Sequence, residues 1–269
     1  MGVTTYLSPK IKPNSKIYRY FNLEKFEWLI KKSALHFTRL DKFEDPFEGL
    51  ITQQQFTGFE HNEYVLERGE HNARNFIHYG RPFIALSCWS RNNESMPMWN
   101  SYAKNGVVIE STVDALQKAI ASNQLDGTQH IVDVKYEKYT KPIINWPNDD
   151  RNIKVGLAFY KGVSYKDERE IRAVLKKPVP KGKITPMELE QKAYPSAGID
   201  VPVDLSQVIK KIIVYPFASH WLVPAVEGIL NKYSRNNFVN LISTSSLEAA
   251  YKDVIKFTGD FNAVDKEIR

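Results

Sequence analysis

The stretch "SYKDEREIRA", Ser164 to Ala173, concentrates ionisable groups that can do chemistry. In a strand, successive side chains point to opposite faces. Glu168, Glu170 and Arg172 then share one face, while Ile171 and Ala173 point the other way. Two neighbouring carboxylates take separate roles when their surroundings push their pKa values apart. One can bind a sugar hydroxyl or stabilise an oxocarbenium-like centre while its neighbour handles a proton. A ladder of cross-strand ion pairs on a wet sheet face is the plainer explanation, each pair contributing about 0.2–1 kcal/mol.

Two further clusters carry reactive residue types. In "LHFTRLDKFEDPFEGL", Arg39, Asp41, Glu44, Asp45 and Glu48 stand among Phe37, Phe43 and Phe47. An Asp-Pro turn capped by its own aspartate explains much of this cluster without any function. In "LSCWSRNNESMPMWNSY", Ser87 and Ser90 end an apolar run, and Trp89, Trp99 and Tyr102 follow. Such rings suit a flat heteroaromatic ligand such as nicotinamide, adenine or a nucleic-acid base, and they equally suit a core corner. Cys88 lies inside the apolar run and reads as a packing residue. The chain has no GxxxxGK[ST], GxGxxG, HExxH or GxSxG motif, and its histidines are not spaced as metal ligands. The oxygen donors of Asp41, Asp45, Glu48, Glu168 and Glu170 would suit Mg2+, so a metal-dependent nuclease or phosphodiesterase is one alternative. A non-catalytic module that binds a nucleotide or a partner is another.

The elements that must position these residues follow from local pattern. "KIYRYF" (16–21), "SALHFTRL" (33–40), "PFIALSCWS" (82–90), "NGVVIEST" (105–112) and "HIVDVKYEKY" (130–139) read as strands. Asn22 is placed to cap a helix "LEKFEWLIKK", and "VDALQKAIAS" and "HWLVPAVEGILNKYS" also read as helices. "RNNESMPMWNSYAK" is expected to be partly helical after Pro97, "NEYVLERGEHNARNFIHY" helical, "KPIINWPNDDR" a loop, and "IKVGLAFYK" helical before the strand from Ser164. "IDVPVDLSQVIKKIIVYP" reads as strand, helical turn and strand, with a short strand and a helix closing the chain. Strands and helices mix without a βαβ rhythm, which gives α+β: one compact domain with a mixed, strongly curved or split central sheet flanked by helices. The expected organisation is an N-terminal extension (1–15), the α+β domain (16–246) with a loop-rich insertion at about 176–198, and a helical tail (247–269).

Composition narrows the class. The chain has 269 residues, 42% hydrophobic, enough for a sizeable core without disulfides, and a single cysteine excludes an internal one. No apolar run approaches the roughly 18 residues of a membrane span, and "MGVTTYLSPKIKP" lacks a signal-peptide core. The expected setting is cytoplasmic, without a membrane partner. A net charge of +6 favours polyanions, nucleic acid among them.

Several blocks in order resemble a known family. "YRYFNLEKFEWLIKKSALHFTRLDKFEDPFEG", "CWSRNNESMPMWNSYAKNGVVIEST", "YKDEREIRAV" and "VDLSQVIKKIIVYPFASHW" are similar to the bacterial and phage-associated proteins of domain of unknown function family 2971, over roughly 16–246. More distantly, an early-strand arginine, a serine-bearing middle strand and a later Glu-x-Glu resemble the arginine–serine–glutamate class of ADP-ribosyltransferases. The start of the chain is also similar to the DNA-targeting toxins of that kind. That resemblance implies that Arg19 or Arg39 grips the phosphates or ribose of NAD, and that Ser87 supports the nicotinamide side. It implies that Trp99 or Tyr102 stacks on the ring, and that Glu170 or Glu168 holds the ribose hydroxyl. The residues themselves place Arg172 beside those glutamates on the floor of a polar site, with Asp45 and Glu48 as further candidates. The middle strand reads Ser87-Cys88-Trp89-Ser90 where that class has Ser-Thr-Ser. The implied activity is cleavage of NAD and transfer of ADP-ribose to a macromolecular acceptor such as nucleic acid, in a toxin or phage-defence role.

Overall fold

A computed structural model of the chain describes residues 5–8, 10–50, 52–56, 80–123, 125–141, 156–179 and 185–258. Its strands are β1 (Thr5–Leu7), β2 (Lys16–Phe21), β3 (Ala34–Arg39), β4 (Ile84–Ser90), β5 (Val107–Thr112), β6 (Thr128–Asp133), β7 (Lys135–Glu137), β8 (Tyr160–Gly162), β9 (Glu170–Lys176), β10 (Ile199–Pro202), β11 (Lys211–Val214) and β12 (Ile242–Ser243). Helices α1 (Leu23–Lys32), α2 (Gln53–Phe56), α3 (Met96–Tyr102), α4 (Val113–Ala121), α5 (Pro186–Lys192), α6 (Leu205–Val208), α7 (Leu222–Lys232) and α8 (Ser246–Thr258) fall between and after them. Parallel and antiparallel strand pairs both occur, so the fold is α+β with a mixed sheet. No helix among the described residues is long and apolar enough to cross a membrane.

Contacts gather the chain into two compact units. The first comprises Met1–Lys12, Leu35–Cys88 and Ile120–Val201. There β1 pairs parallel with β6, and β6 pairs antiparallel with β9 from Thr128↔Lys176 to Asp133↔Ile171. Strand β4 lies on the other side of β9, β3 pairs with β4, and β10 with β3. All seven residues of β9, EIRAVLK, are buried. Its apolar members Ile171, Ala173, Val174 and Leu175 belong to the core, and Glu170, Arg172 and Lys176 are taken inside with them. Burying charge is costly unless it is paired, so this strand dictates what must surround it.

The second unit comprises Pro13–Ala34, Trp89–Ala119 and Pro202–Arg269. Here β2 and β11 flank β5 antiparallel, and β12 runs parallel to β11. Asn22 caps α1 as its sequence implies, its side chain accepting from the Lys25 N–H at 2.9 Å. Phe26, Leu29 and Ile30 form the buried face of α1. The glycine at 106 is required: a Cβ there would come within 2.0 Å of the Phe21 carbonyl oxygen.

Three local expectations change. The strand expected over 130–139 is two strands, because at Val134 the chain leaves β9 and turns to a different partner. The Val134 N–H donates to the Glu170 carbonyl, the Lys135 N–H donates to the Phe159 carbonyl, and β7 then pairs parallel with β8. The end of "IKVGLAFYK" is a 3-10 turn, Gly156–Ala158, leading into strand at Tyr160, since a parallel partner is waiting in β7. The strand expected from Ser164 begins only at Glu170. Val163–Glu168 is a 3-10 helix closed by Arg169 in the left-handed region at φ 45°. The insertion carries helix α5, entered through a Thr185–Glu188 capping box. "NEYVLERGEHNARNFIHY" and all but Lys141 of "KPIINWPNDDR" lie outside the described residues.

Asn22→Ala removes the cap on α1 and is expected to lower unfolding free energy by about 1 kcal/mol, read from the midpoint of urea denaturation.

Candidate functional site

The charged residues of β9 collect partners from three other segments of the same unit. Arg172 has no solvent exposure, and its Nε donates to Glu170 Oε2 at 2.5 Å. Its Nη1 donates to Glu48 Oε1 at 2.8 Å and to the Ala158 carbonyl at 3.0 Å. Lys161 enters from β8, and its Nζ donates to Glu168 Oε2 at 2.6 Å and to Glu170 Oε1 at 3.0 Å. The same Nζ lies 3.8 Å from Glu48 Oε2 and 4.5 Å from the centre of the Tyr165 ring. The Tyr136 hydroxyl accepts the Glu170 backbone N–H at 2.7 Å.

The Asp-Pro turn delivers Glu48. Asp45 Oδ1 accepts the Phe47 N–H, the Asp45 carbonyl accepts the Glu48 N–H, and Phe47 stacks on Tyr139 with ring centres 4.6 Å apart. Gly49 follows at φ 67°, where a Cβ would meet the Leu40 side chain at 2.6 Å. The turn is thus fixed on both sides of Glu48, and the Glu48 side chain is wholly buried. On the other side, the left-handed Arg169 turns the chain between Glu168 and Glu170. The two carboxylates meet on Lys161, and not through strand alternation as the sequence suggests.

Glu48, Glu168 and Glu170 bring three carboxylates against the cations Lys161 and Arg172, and the Arg81 charge also acts on Glu48. A carboxyl group crowded against others in a buried cluster binds its proton more tightly, and a nearby cation loosens that hold. For Glu168, burial pushes the carboxyl above its ordinary range, and the hydrogen bond to Glu170 and that group's charge add to the push. For Glu170, burial acts in the same direction but Arg172 and Lys161 outweigh it, so its carboxyl is held below the ordinary range. Lys161 is also raised: burial disfavours its charge, and Glu170 more than compensates. Burial and Glu170 thus favour the protonated form of Glu168, while Arg172 and Lys161 favour the ionised form of Glu170. Burial and the nearby Glu170 push the Cys88 thiol up to about 12, which removes it as a thiolate nucleophile.

Of the residues singled out in the sequence, the structure unites Glu48, Glu168, Glu170 and Arg172. Ser87 is buried in β4, the neighbour of β9. Asp45 serves the turn. Arg39 does not remain available to grip phosphate: its guanidinium holds Asp41 at 2.7 and 3.1 Å and donates to the Tyr194 carbonyl at 2.9 Å. Arg19, Trp99 and Tyr102 belong to the second unit. The Arg19 guanidinium lies over Phe21 and Trp89, 5.2 and 5.9 Å from the ring centres. Trp99 has no exposed surface and is a core residue, its indole set edge-on to Tyr20 and Tyr215. A ring enclosed in this way presents no face to a ligand, which corrects the stacking role expected of it. Tyr102 is exposed at the end of α3. Lys161 and Tyr136 went unnoticed in the sequence because only the parallel pairing of β7 with β8 sets them opposite each other beside Glu170.

Among the described residues, no group of three or more His, Cys, Asp or Glu side chains is placed to hold a metal ion. No family model, curated protein or solved structure matches this chain.

Arg172→Met leaves Glu170 and Glu48 buried beside an apolar side chain and is expected to cost about 3–5 kcal/mol in denaturant titration. The pH dependence has opposite signs for the two carboxylates. The contribution of Glu170, whose folded pKa is lowered, is present above its unfolded value of 4.5 and fades as pH falls through the lowered one. Glu168, whose folded pKa is raised, removes stability as pH rises through its raised value.

Proposed function

We propose that the protein is an ADP-ribosyltransferase-like enzyme that cleaves NAD, with Glu170 and Glu168 as its catalytic carboxylates. The observation that carries this reading is the pair itself: two carboxylates on one ammonium, pushed in opposite directions by their surroundings. Cleavage of the bond between nicotinamide and ribose sends the bonding electrons to the nicotinamide nitrogen and leaves positive charge on the ribose. An ionised carboxylate that accepts a hydrogen bond from the ribose hydroxyl stabilises that charge as it forms. Glu170, held ionised by Arg172 and Lys161, has the state this role needs. Glu168, whose carboxyl is pushed above the ordinary range, shares the Lys161 ammonium with Glu170 and is the candidate for proton transfer.

The serine-then-glutamate order in the sequence supports NAD as the substrate, with Ser87 on the nicotinamide side, while Arg39 is held by Asp41 and the Tyr194 carbonyl and takes no part. The net charge of +6 supports a polyanionic acceptor, nucleic acid first, as a toxin or phage-defence enzyme would use. A Mg2+-dependent nuclease is less well served. Lys161 and Arg172 already occupy oxygens of Glu48, Glu168 and Glu170, while Asp41 and Asp45 are committed to Arg39 and to the turn.

The test is nicotinamide release from NAD by the pure protein, with and without nucleic acid. Glu170→Gln is expected to reduce the rate by at least about 100-fold and Glu168→Gln by less. Wild-type protein that neither releases nicotinamide nor binds NAD overturns the proposal. Binding without turnover in the wild type would assign a sensing module instead, and nuclease activity lost to EDTA and restored by Mg2+ would assign the metal-dependent reading.

A further inference from the structure

Charge alone does not explain how two carboxylates come to share one site without driving each other apart. Arg172 reaches Glu170 and Glu48. Lys161 reaches all three carboxylates, at 2.6 Å to Glu168, 3.0 Å to Glu170 and 3.8 Å to Glu48. Its backbone is fixed from two sides. In the β7–β8 pairing Lys161 stands opposite Tyr136, whose hydroxyl accepts the Glu170 N–H. The next residue, Gly162, packs so closely that a Cβ would lie 2.4 Å from the Tyr139 hydroxyl oxygen. The Lys161 side chain is only 7% exposed, so water does little to screen its charge.

We propose that Lys161 is the positioning residue of this site, the single ammonium on which Glu168 and Glu170 are both held and through which Glu48 is tied to them. It touches the carboxylates and not the reacting atoms. It acts by fixing where they stand and how tightly they bind protons. The groups that face it are Glu48 from the Asp-Pro turn, Tyr165 and Glu168 from the 3-10 helix, Glu170 and Arg172 from β9, and Tyr136 from β7. Without the ammonium, Glu168 loses this cation and Glu170 keeps Arg172, so both carboxyl groups bind protons more tightly. The ionised state of Glu170 that oxocarbenium stabilisation requires is then less favoured. The catalytic meaning of Lys161 rests on the NAD-cleaving function proposed above, but its hold on the carboxylates does not.

Two readouts separate these claims. Titration of 13C-carboxyl glutamate resonances in Lys161→Ala is expected to move the midpoints of Glu168 and Glu170 up by at least about one pH unit, tenfold in proton affinity. Ethylammonium, which restores a cation of similar reach, is expected to return them towards the wild-type values. Midpoints within a few tenths of a unit of wild type in Lys161→Ala overturn the assignment. If that variant does not fold, the wild-type Lys161 15Nζ resonance decides. It is expected to shift as Glu168 titrates, and a resonance that ignores that titration overturns the proposal. NAD enters neither measurement. Moved midpoints together with no nicotinamide release from wild-type protein would uphold Lys161 and refute the NAD-cleaving function alone.

Discussion

A guanidinium with no solvent exposure, on a strand buried at every position, is the constraint from which the site follows. Arg172 needs acceptors on several sides, and no single neighbouring segment supplies them. Glu170 comes from its own strand face, Glu48 from a turn 124 residues away in sequence, and the Ala158 carbonyl from the 3-10 turn before β8. Each partner must arrive at a defined place, so the Asp45–Gly49 turn and the approach to β8 are held to β9 by one side chain. Stability by itself does not call for this arrangement. Well-packed apolar residues of similar volume often serve as well or better than buried ions, whereas removing one ion from such a set is costly.

What the arrangement does supply is two glutamates in unlike states. Arg172 favours the charged form of Glu170, and Lys161 favours the charged form of both. Burial and the neighbouring Glu170 meanwhile push the Glu168 carboxyl above its ordinary range. Burial, with the Glu170 charge beside it, keeps the Cys88 thiol protonated. Environments that set neighbouring carboxyl groups apart are what acid–base and glycosyl-transfer chemistry needs.

Much of this was legible in the sequence where the signal is local. The Asn22 cap with its apolar periodicity, the β-rich "KIYRYF" and the strand–turn–strand of 199–214 fold as their patterns imply. Glu48 could be singled out because an Asp-Pro-Phe-Glu-Gly turn has few conformations to choose from. Failures arose where a distant partner decides. Alternation over "SYKDEREIRA" cannot distinguish a strand from a 3-10 turn that closes into one, so Glu168 joined Glu170 for the wrong reason. The break at Val134 depends on backbone partners at Phe159 and Glu170, and the position of Lys161 depends on the β7–β8 pairing that follows. Arg39 and Trp99 look like ligand-binding residues by type, and only their partners, Asp41 and Tyr194 for the one and Tyr20 and Tyr215 for the other, give them structural duties.

The central claim is that the buried cluster around β9 is a reaction centre and not a strut. A crystal structure of the protein with ADP-ribose or a non-cleavable NAD analogue tests it most directly. A ribose hydroxyl of the ligand within hydrogen-bond distance of Glu170, with Lys161 still bridging the two glutamates, is the expected result. A ligand bound away from β9, with Glu170 enclosed by Lys161 and Arg172 as it is without ligand, would contradict the claim.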